Sequence, residues 1–133
     1  MSTEQFKRCP KVRKEVLGED HVKAPFDNAD NFKRDFQNMV TEYCWGGTWG
    51  RGILAKRERS ILNLGMLAAL NRKMEFKHHF KSAITNGLSL EELREILFQI
   101  AICCGIPAGV TAFCSAREVL ETEGINTAGL DPR

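Results

Sequence analysis

Glu75 and His79 stand four residues apart in Glu75-Phe76-Lys77-His78-His79-Phe80, a carboxylate and an imidazole inside an amphipathic pattern. On a helix, positions i and i+4 lie one above the other on the same face. A carboxylate placed there sets the tautomer of an imidazole and raises its pKa, which suits proton transfer near neutral pH. Phe76, Phe80, Ala83 and Ile84 define a buried stripe. Glu75, His79, Ser82 and Asn86 make a polar stripe along its edge, where a side chain can face a half-buried cleft. His78 lies roughly 200° round the helix from Phe76 and is expected to point at water. Spacing alone leaves a plain surface pair open, worth only ~0.2–0.5 kcal/mol.

The elements that must position this pair read as helices, because 3.6-residue periodicity recurs and no segment alternates apolar and polar residues. Six helical segments are expected. The first, near residues 4–16, carries Pro10, which should kink it or delay its start. Residues 17–25 read as a loop. A second helix begins near Asn28 to Asp30 and gathers Phe32, Phe36, Met39, Val40 and Tyr43 on one face. It is expected to end in a glycine-rich turn, Trp45-Gly46-Gly47-Thr48-Trp49-Gly50-Arg51-Gly52. The third, about 55–71, is apolar nearly all round, which marks the centre of a core or an interface. The fourth, about 73–85, carries Glu75 and His79 and stops at Asn86-Gly87. The fifth opens with a capping box at Ser89 and Glu92. Cys104-Gly105-Ile106-Pro107 breaks it and restarts a sixth that runs to Glu123, with proline near its first turn. Short connections favour antiparallel neighbours, hence an all-α bundle. One domain over residues 1–133 is expected, with a core at 28–123 and a flexible tail at 124–133.

Composition narrows the functions. The chain has 133 residues, with 19 basic and 17 acidic side chains and a formal charge of +2. No basic block advertises nucleic acid, and Lys7 to Lys14 reads as a solvated helix face. No stretch approaches the roughly 20 apolar residues that span a bilayer, and no signal core is present at the start. Five cysteines (Cys9, Cys44, Cys103, Cys104, Cys114) show no Cys-x-x-Cys and no repeated spacing. That argues against a disulfide framework and against a zinc site, and fits a reducing cytoplasm. Cys103, Cys104 and Cys114 fall on apolar helices as small hydrophobes.

Taken in order, several motifs resemble the carboxymuconolactone decarboxylase family. They are Leu17-Gly18-x-x-His21-Val22, Trp45-Gly46-x-x-Trp49-x-Arg51, Arg59-Ser60, Leu67-x-Ala69-Leu70-x-Arg72 and Glu75-x-x-x-His79. Asn86-Gly87 with its capping box and Cys104-Gly105-Ile106-Pro107-Ala108 before Ala112-Phe113 complete the series. The resemblance covers roughly residues 8–122. Residues 55–122 carry the pattern of the whole alkylhydroperoxidase-like superfamily, and the two earlier motifs are more particular to the decarboxylase branch. It implies a helical subunit in a ring, commonly a trimer of dimers (a homohexamer), with no metal or organic cofactor. It also implies decarboxylation of 4-carboxymuconolactone or a related carboxylated lactone in the protocatechuate, or 3-oxoadipate, route of aromatic breakdown.

The alkylhydroperoxidase-like branch carries Cys-x-x-Cys-x-x-x-His with a glutamate on the preceding helix. On that frame Arg72 and Glu75 occupy the cysteine positions, while His79 and Glu58 match the histidine and glutamate. Proton-relay positions are kept and the thiols are not. Departures from the decarboxylase pattern are Cys103 for tyrosine, Val110 for asparagine, Cys114 for a polar or basic residue, and Gly52-Ile53 for Pro-Gly. They leave the exact substrate open.

Decarboxylating a carbon bonded to the lactone oxygen sends electrons to the lactone carbonyl as a dienolate, so the ring itself is the electron sink. The site must then desolvate the departing carboxylate, donate hydrogen bonds to the oxyanion and protonate carbon. On this reading His79 is general acid or oxyanion donor and Glu75 orients it. Arg51 and His21 hold substrate carboxylates, and Trp45 with Trp49 exclude water. Glu58 is a candidate relay. Each has a plain alternative: helix-dipole complement for Glu58, core or interface aromatics for the indoles, a surface ion pair for Arg51, a loop or capping residue for His21. A thiol peroxidase or reductase, or a non-catalytic oligomeric member of the fold, are the competing functions.

Overall fold

The computed structural model describes residues 3–19 and 30–132, and its regular elements are six helices, with no strand among the described residues. His21 and the expected loop around it lie outside the described residues, as does the expected helix start at Asn28. The described residues fall into two compact units, one up to Lys56 and one from Arg57.

In the N-terminal unit, α1 (Thr3–Leu17) runs through Pro10 rather than starting after it. An interior proline removes one ladder hydrogen bond, which packing must offset. α2 (Arg34–Met39) continues without a break into a π-helical segment, Val40–Trp49. The expected glycine-rich turn at Trp45 is therefore helical, closed by a Gly50 N–H to Trp45 carbonyl bond of 2.8 Å. The wide π turn lets Gly46 press on α1: a Cβ there would lie 2.0 Å from Cys9 Sγ. Trp45 and Trp49 are buried with Val16, flanked by Val12, Leu17 and Val40.

The face of α2 turned inward is polar. Arg13 is 6% exposed and donates from Nη1 to Thr41 Oγ1 at 3.0 Å and to Gln37 Oε1 at 3.3 Å. Gln37, Thr41, Trp45 and Trp49 recur every four residues as the buried line. Phe36, Met39 and Tyr43 are left exposed, as is Phe32 just ahead of α2. Their shared face was legible; its burial within the chain was not, because Arg13 claims the opposite face.

The C-terminal unit is built from α3 (Lys56–Ala69, whose first residue belongs to the other unit), α4 (Lys73–Thr85), α5 (Leu90–Cys103) and α6 (Ile106–Thr122). Leu64, Phe76, Phe80, Ala83, Leu93, Leu97, Ile100, Ala112 and Ala116 form its core. α6 lies against both α4 and α5. On α3 only Ser60 and Leu64 are buried, while Leu62 and Met66, and Leu70 just past its end, stay exposed. A helix apolar nearly all round thus keeps most of its apolar surface uncovered by its own chain.

Three helix ends close with the same pair of bonds. Asn71, Gly87 and Gly124 take positive φ, and the amide after each reaches back to the carbonyl five residues earlier, as in Arg72 to Leu67 at 2.9 Å. That is the Schellman closure, and asparagine is the non-glycine residue that tolerates it best.

The capping box at Ser89 forms as expected, with Glu92 N–H on Ser89 Oγ at 3.1 Å and Ser89 N–H on Glu92 Oε2 at 2.9 Å. Arg57 adds a two-pronged contact, Nη2 to Glu92 Oε1 at 2.7 Å and Nη1 to Oε2 at 3.2 Å. Arg57, with the Ser89 amide second, holds the Glu92 carboxyl down at about 2. A carboxyl depressed on folding contributes stability above its ordinary pKa, and that contribution fades as pH falls from about 4.5 toward 2. Glu92→Gln, which keeps the box geometry, should lower the melting temperature at pH 7 and match wild type near pH 2. An equal gap at both pH values would rule out this linkage.

Candidate active site

α3 and α4 meet along a polar seam. Asn86 Nδ2 donates to Ser60 Oγ at 2.9 Å, and Asn63 Nδ2 lies 3.3 Å from His79 Nδ1. Ser60 and Asn63 are one turn apart on α3, and His79 and Asn86 two turns apart on α4, so the pairs run in antiparallel order. Ser60 is fully buried, and Ser82, also buried, donates to the His78 carbonyl at 2.9 Å. His79 is half-buried on this seam. With the Asn63 amide donating, Nδ1 is the acceptor and the imidazole proton sits on Nε2.

Asn63 is a residue that sequence reading missed. Its signal was present in α3, where Ser60 and Asn63 interrupt an apolar run at i and i+3. Nothing local, however, says which helix such a polar step will face.

The other predicted residues are distributed as follows. Glu75 is exposed one turn before His79 on α4. Glu58, in the first turn of α3, has Oε1 3.4 Å from Arg57 Nε. These belong with His79 to the C-terminal unit. Trp45 and Trp49 belong to the N-terminal unit, with ring centroids 5.4 Å apart. Arg51 follows them there, exposed, its amide bonded to the Thr48 carbonyl at 3.0 Å. His21 is not described.

His78 departs from expectation. It is half-buried in a shallow recess with Lys77, Lys81, Glu118 and Val119, rather than turned fully to water. Burial pushes its pKa down from the ordinary value; Glu75 opposes the shift and Lys81 adds to it. α6 supplies the cover, through Val119 and the Lys77–Glu118 ion pair. No cluster of three or more metal-ligating side chains occurs among the described residues. No described helix is long and apolar enough to cross a membrane.

A cavity of about 390 Å³ opens in the same unit, where the end of α3 and the starts of α4 and α6 converge. Arg72, Lys73, Phe76, Cys104, Thr111 and Ser115 are among its walls. Its size suits a small organic ligand. Phe76 is the α4 residue one turn before Phe80 and three before His79, so the cavity and the polar seam share one helix.

Comparison with known families now identifies the class of protein to which this all-helical chain belongs. Residues 34–118 match the model of the carboxymuconolactone decarboxylase family, and the chain belongs to that family. Among its relatives, the 4-carboxymuconolactone decarboxylase of Acinetobacter baylyi is 36% identical over 126 residues, 94% of each chain. The nitrosuccinic acid decarboxylase of Metarhizium robertsii is 36% identical over 110 residues, 83% of this chain and 77% of that one.

Proposed function

We propose that this protein is a decarboxylase of small carboxylated substrates that carry their own electron sink, with 4-carboxymuconolactone or a related lactone as the leading candidate. The observation that carries this reading is 36% identity to the Acinetobacter decarboxylase over nearly the full length of both chains. The second relative supports the same chemistry from another direction. In a lactone the electrons released with carbon dioxide enter a conjugated carbonyl; beside a nitro group they enter the nitro oxygens. Either substrate stabilises its own carbanion, so the protein's task reduces to desolvating a carboxylate, stabilising the oxyanion and delivering a proton.

His79 fits that task. With Asn63 Nδ2 on Nδ1 the proton sits on Nε2, and an imidazole in that form has the chemistry to bond a developing oxyanion or to hand a proton to carbon. Glu75, one turn earlier on the same helix, is proposed to orient the imidazole. Glu58 is kept as a candidate relay, the role that the family pattern implies, and its carboxylate also pairs with Arg57. For Arg51 and His21 we keep the role implied by the family pattern, holding substrate carboxylates. Trp45 and Trp49, being buried, serve to anchor the segment that leads to Arg51. The exposed apolar faces of α2 and α3 are the surfaces that a ring of subunits, a trimer of dimers, would cover.

The direct test is an ultraviolet assay of 4-carboxymuconolactone, run beside related carboxylated lactones and nitrosuccinic acid. Loss of lactone absorbance with release of carbon dioxide is expected for at least one of them. No turnover of any would overturn the reading, and dithiol-dependent consumption of hydroperoxide would replace it.

A further inference from the structure

The cavity at the α3–α4 turn has a wall that the decarboxylation chemistry above does not use. Asn71 takes φ 56° in the Schellman closure, which brings Arg72 and Lys73 to the cavity mouth. Neither cation forms an ion pair or side-chain hydrogen bond among the described residues, although five other basic residues do pair with carboxylates. Arg72 is also the N-cap of α4 and offers no side-chain cap, so the first amides of that helix have no intrahelical acceptor. Gly105, at the cap of α6, likewise contributes none. Opposite them, Ser115 lines the cavity from the third turn of α6. It is 4% exposed, yet its hydroxyl makes no hydrogen bond among the described residues. The other two buried serines, Ser60 and Ser82, are both bonded. The Ser115 oxygen is not among the fully enclosed polar atoms that lack a partner, so it is reached from the cavity and can hydrogen-bond a ligand there.

We propose that this cavity binds a carboxylate of a small organic acid, with Arg72 as its fixed cation, Lys73 as a second charge at the mouth and Ser115 as the buried hydrogen-bond donor. Carboxylate rather than another anion follows from the decarboxylase reading, on which that choice rests. Planar guanidinium matches a carboxylate through two parallel bonds, and an uncapped helix start adds the same sign of field. Phe76 supplies an apolar wall for the carbon skeleton. Arg72 and Ser115 are therefore binding residues that fix which end of the substrate enters first, leaving the His79 seam for the reacting carbon.

The test uses the full chain and succinate as probe, by isothermal titration of wild type, Arg72→Gln and Ser115→Ala. Wild type should bind succinate. Arg72→Gln, an exposed change that leaves the fold intact, should weaken binding by about 10–100-fold, and Ser115→Ala by about 3–10-fold. For a lactone that is turned over, Arg72→Gln should raise KM with kcat little changed. Unchanged succinate affinity in Arg72→Gln, or no binding by wild type at concentrations on the order of 10 mM, overturns the inference. Turnover together with Arg72-independent binding removes this inference and leaves the decarboxylase reading. Arg72-dependent succinate binding with no lactone turned over does the reverse.

Discussion

His79→Ala should abolish turnover while the helices remain folded. The imidazole is half-buried, and its Nδ1 contact with Asn63 at 3.3 Å lies beside a core that its removal does not open. A positioned acid or base contributes typically about 10²–10⁴-fold in rate, and that is the expected fall in kcat. Circular dichroism and the melting temperature should stay near wild type. Asn63→Ala should cost less, roughly 10-fold, because it frees the ring without removing it. The two changes share one contact, so the double variant should resemble His79→Ala alone rather than the product of both. Wild-type rates in His79→Ala would exclude the proposed role. A large loss in Asn63→Ala with none in His79→Ala would point instead to the amide as the donor.

Two glycines in helices should respond to alanine with opposite signs. At Gly109 an added Cβ would stand 2.5 Å from the Ala101 Cβ and 2.8 Å from its Cα, and backbone cannot step aside. α5 and α6 pack there with no room for a Cβ on Gly109. Alanine gains about 1 kcal/mol in intrinsic helix propensity. Overpacking costs about 1–3 kcal/mol and wins, so Gly109→Ala should be destabilised and Gly109→Val more so. At Gly65, in the middle of α3, a Cβ meets nothing within 4 Å. There the propensity gain stands alone, and Gly65→Ala should be stabilised by about 0.5–1 kcal/mol. Urea unfolding of both variants checks the pair. A stable Gly109→Ala would mean that α5 and α6 do not cross so closely. A destabilised Gly65→Ala would show that the α3 face is covered in the working protein.

The contrast between these helices also explains what was legible. α3 to α6 follow their sequence signals within a few residues, as in 73–85 against Lys73–Thr85 and the box at Ser89. Those signals are local: a cap, a glycine past the end, a stripe of one period. The continuation through Trp45 and Trp49 was not legible, since two glycines in a row read as a turn until Cys9 occupies the space beside Gly46. The outward apolar face of α2 was missed for a similar reason. Periodicity finds a face, but whether that face is buried depends on Arg13, 24 residues from Gln37 in the chain. Within the site, i,i+4 spacing selected His79, whereas its partner Asn63 comes from another helix and needed the fold. Arg72 entered the sequence reading as part of a motif and as a missing cysteine, with no role of its own, and the cavity gives it a different standing.

The close fit of Gly46 against Cys9 reaches beyond packing. Cys9 is the buried thiol among five, and no room exists beside its sulfur for even one added carbon at Gly46. Burial also raises its pKa, so the reactive thiolate is scarce. A thiol reagent therefore reaches Cys9 only when α1 and the π segment separate, while the other four sulfurs lie on exposed residues, although burial raises the pKa of Cys44 as well. Its labelling rate in native protein becomes a clock for opening of the N-terminal unit, readable without any engineered probe. Blocking the other four thiols is accordingly a chemical question about activity. Blocking the fifth is a question about unfolding, and the two should not be counted together.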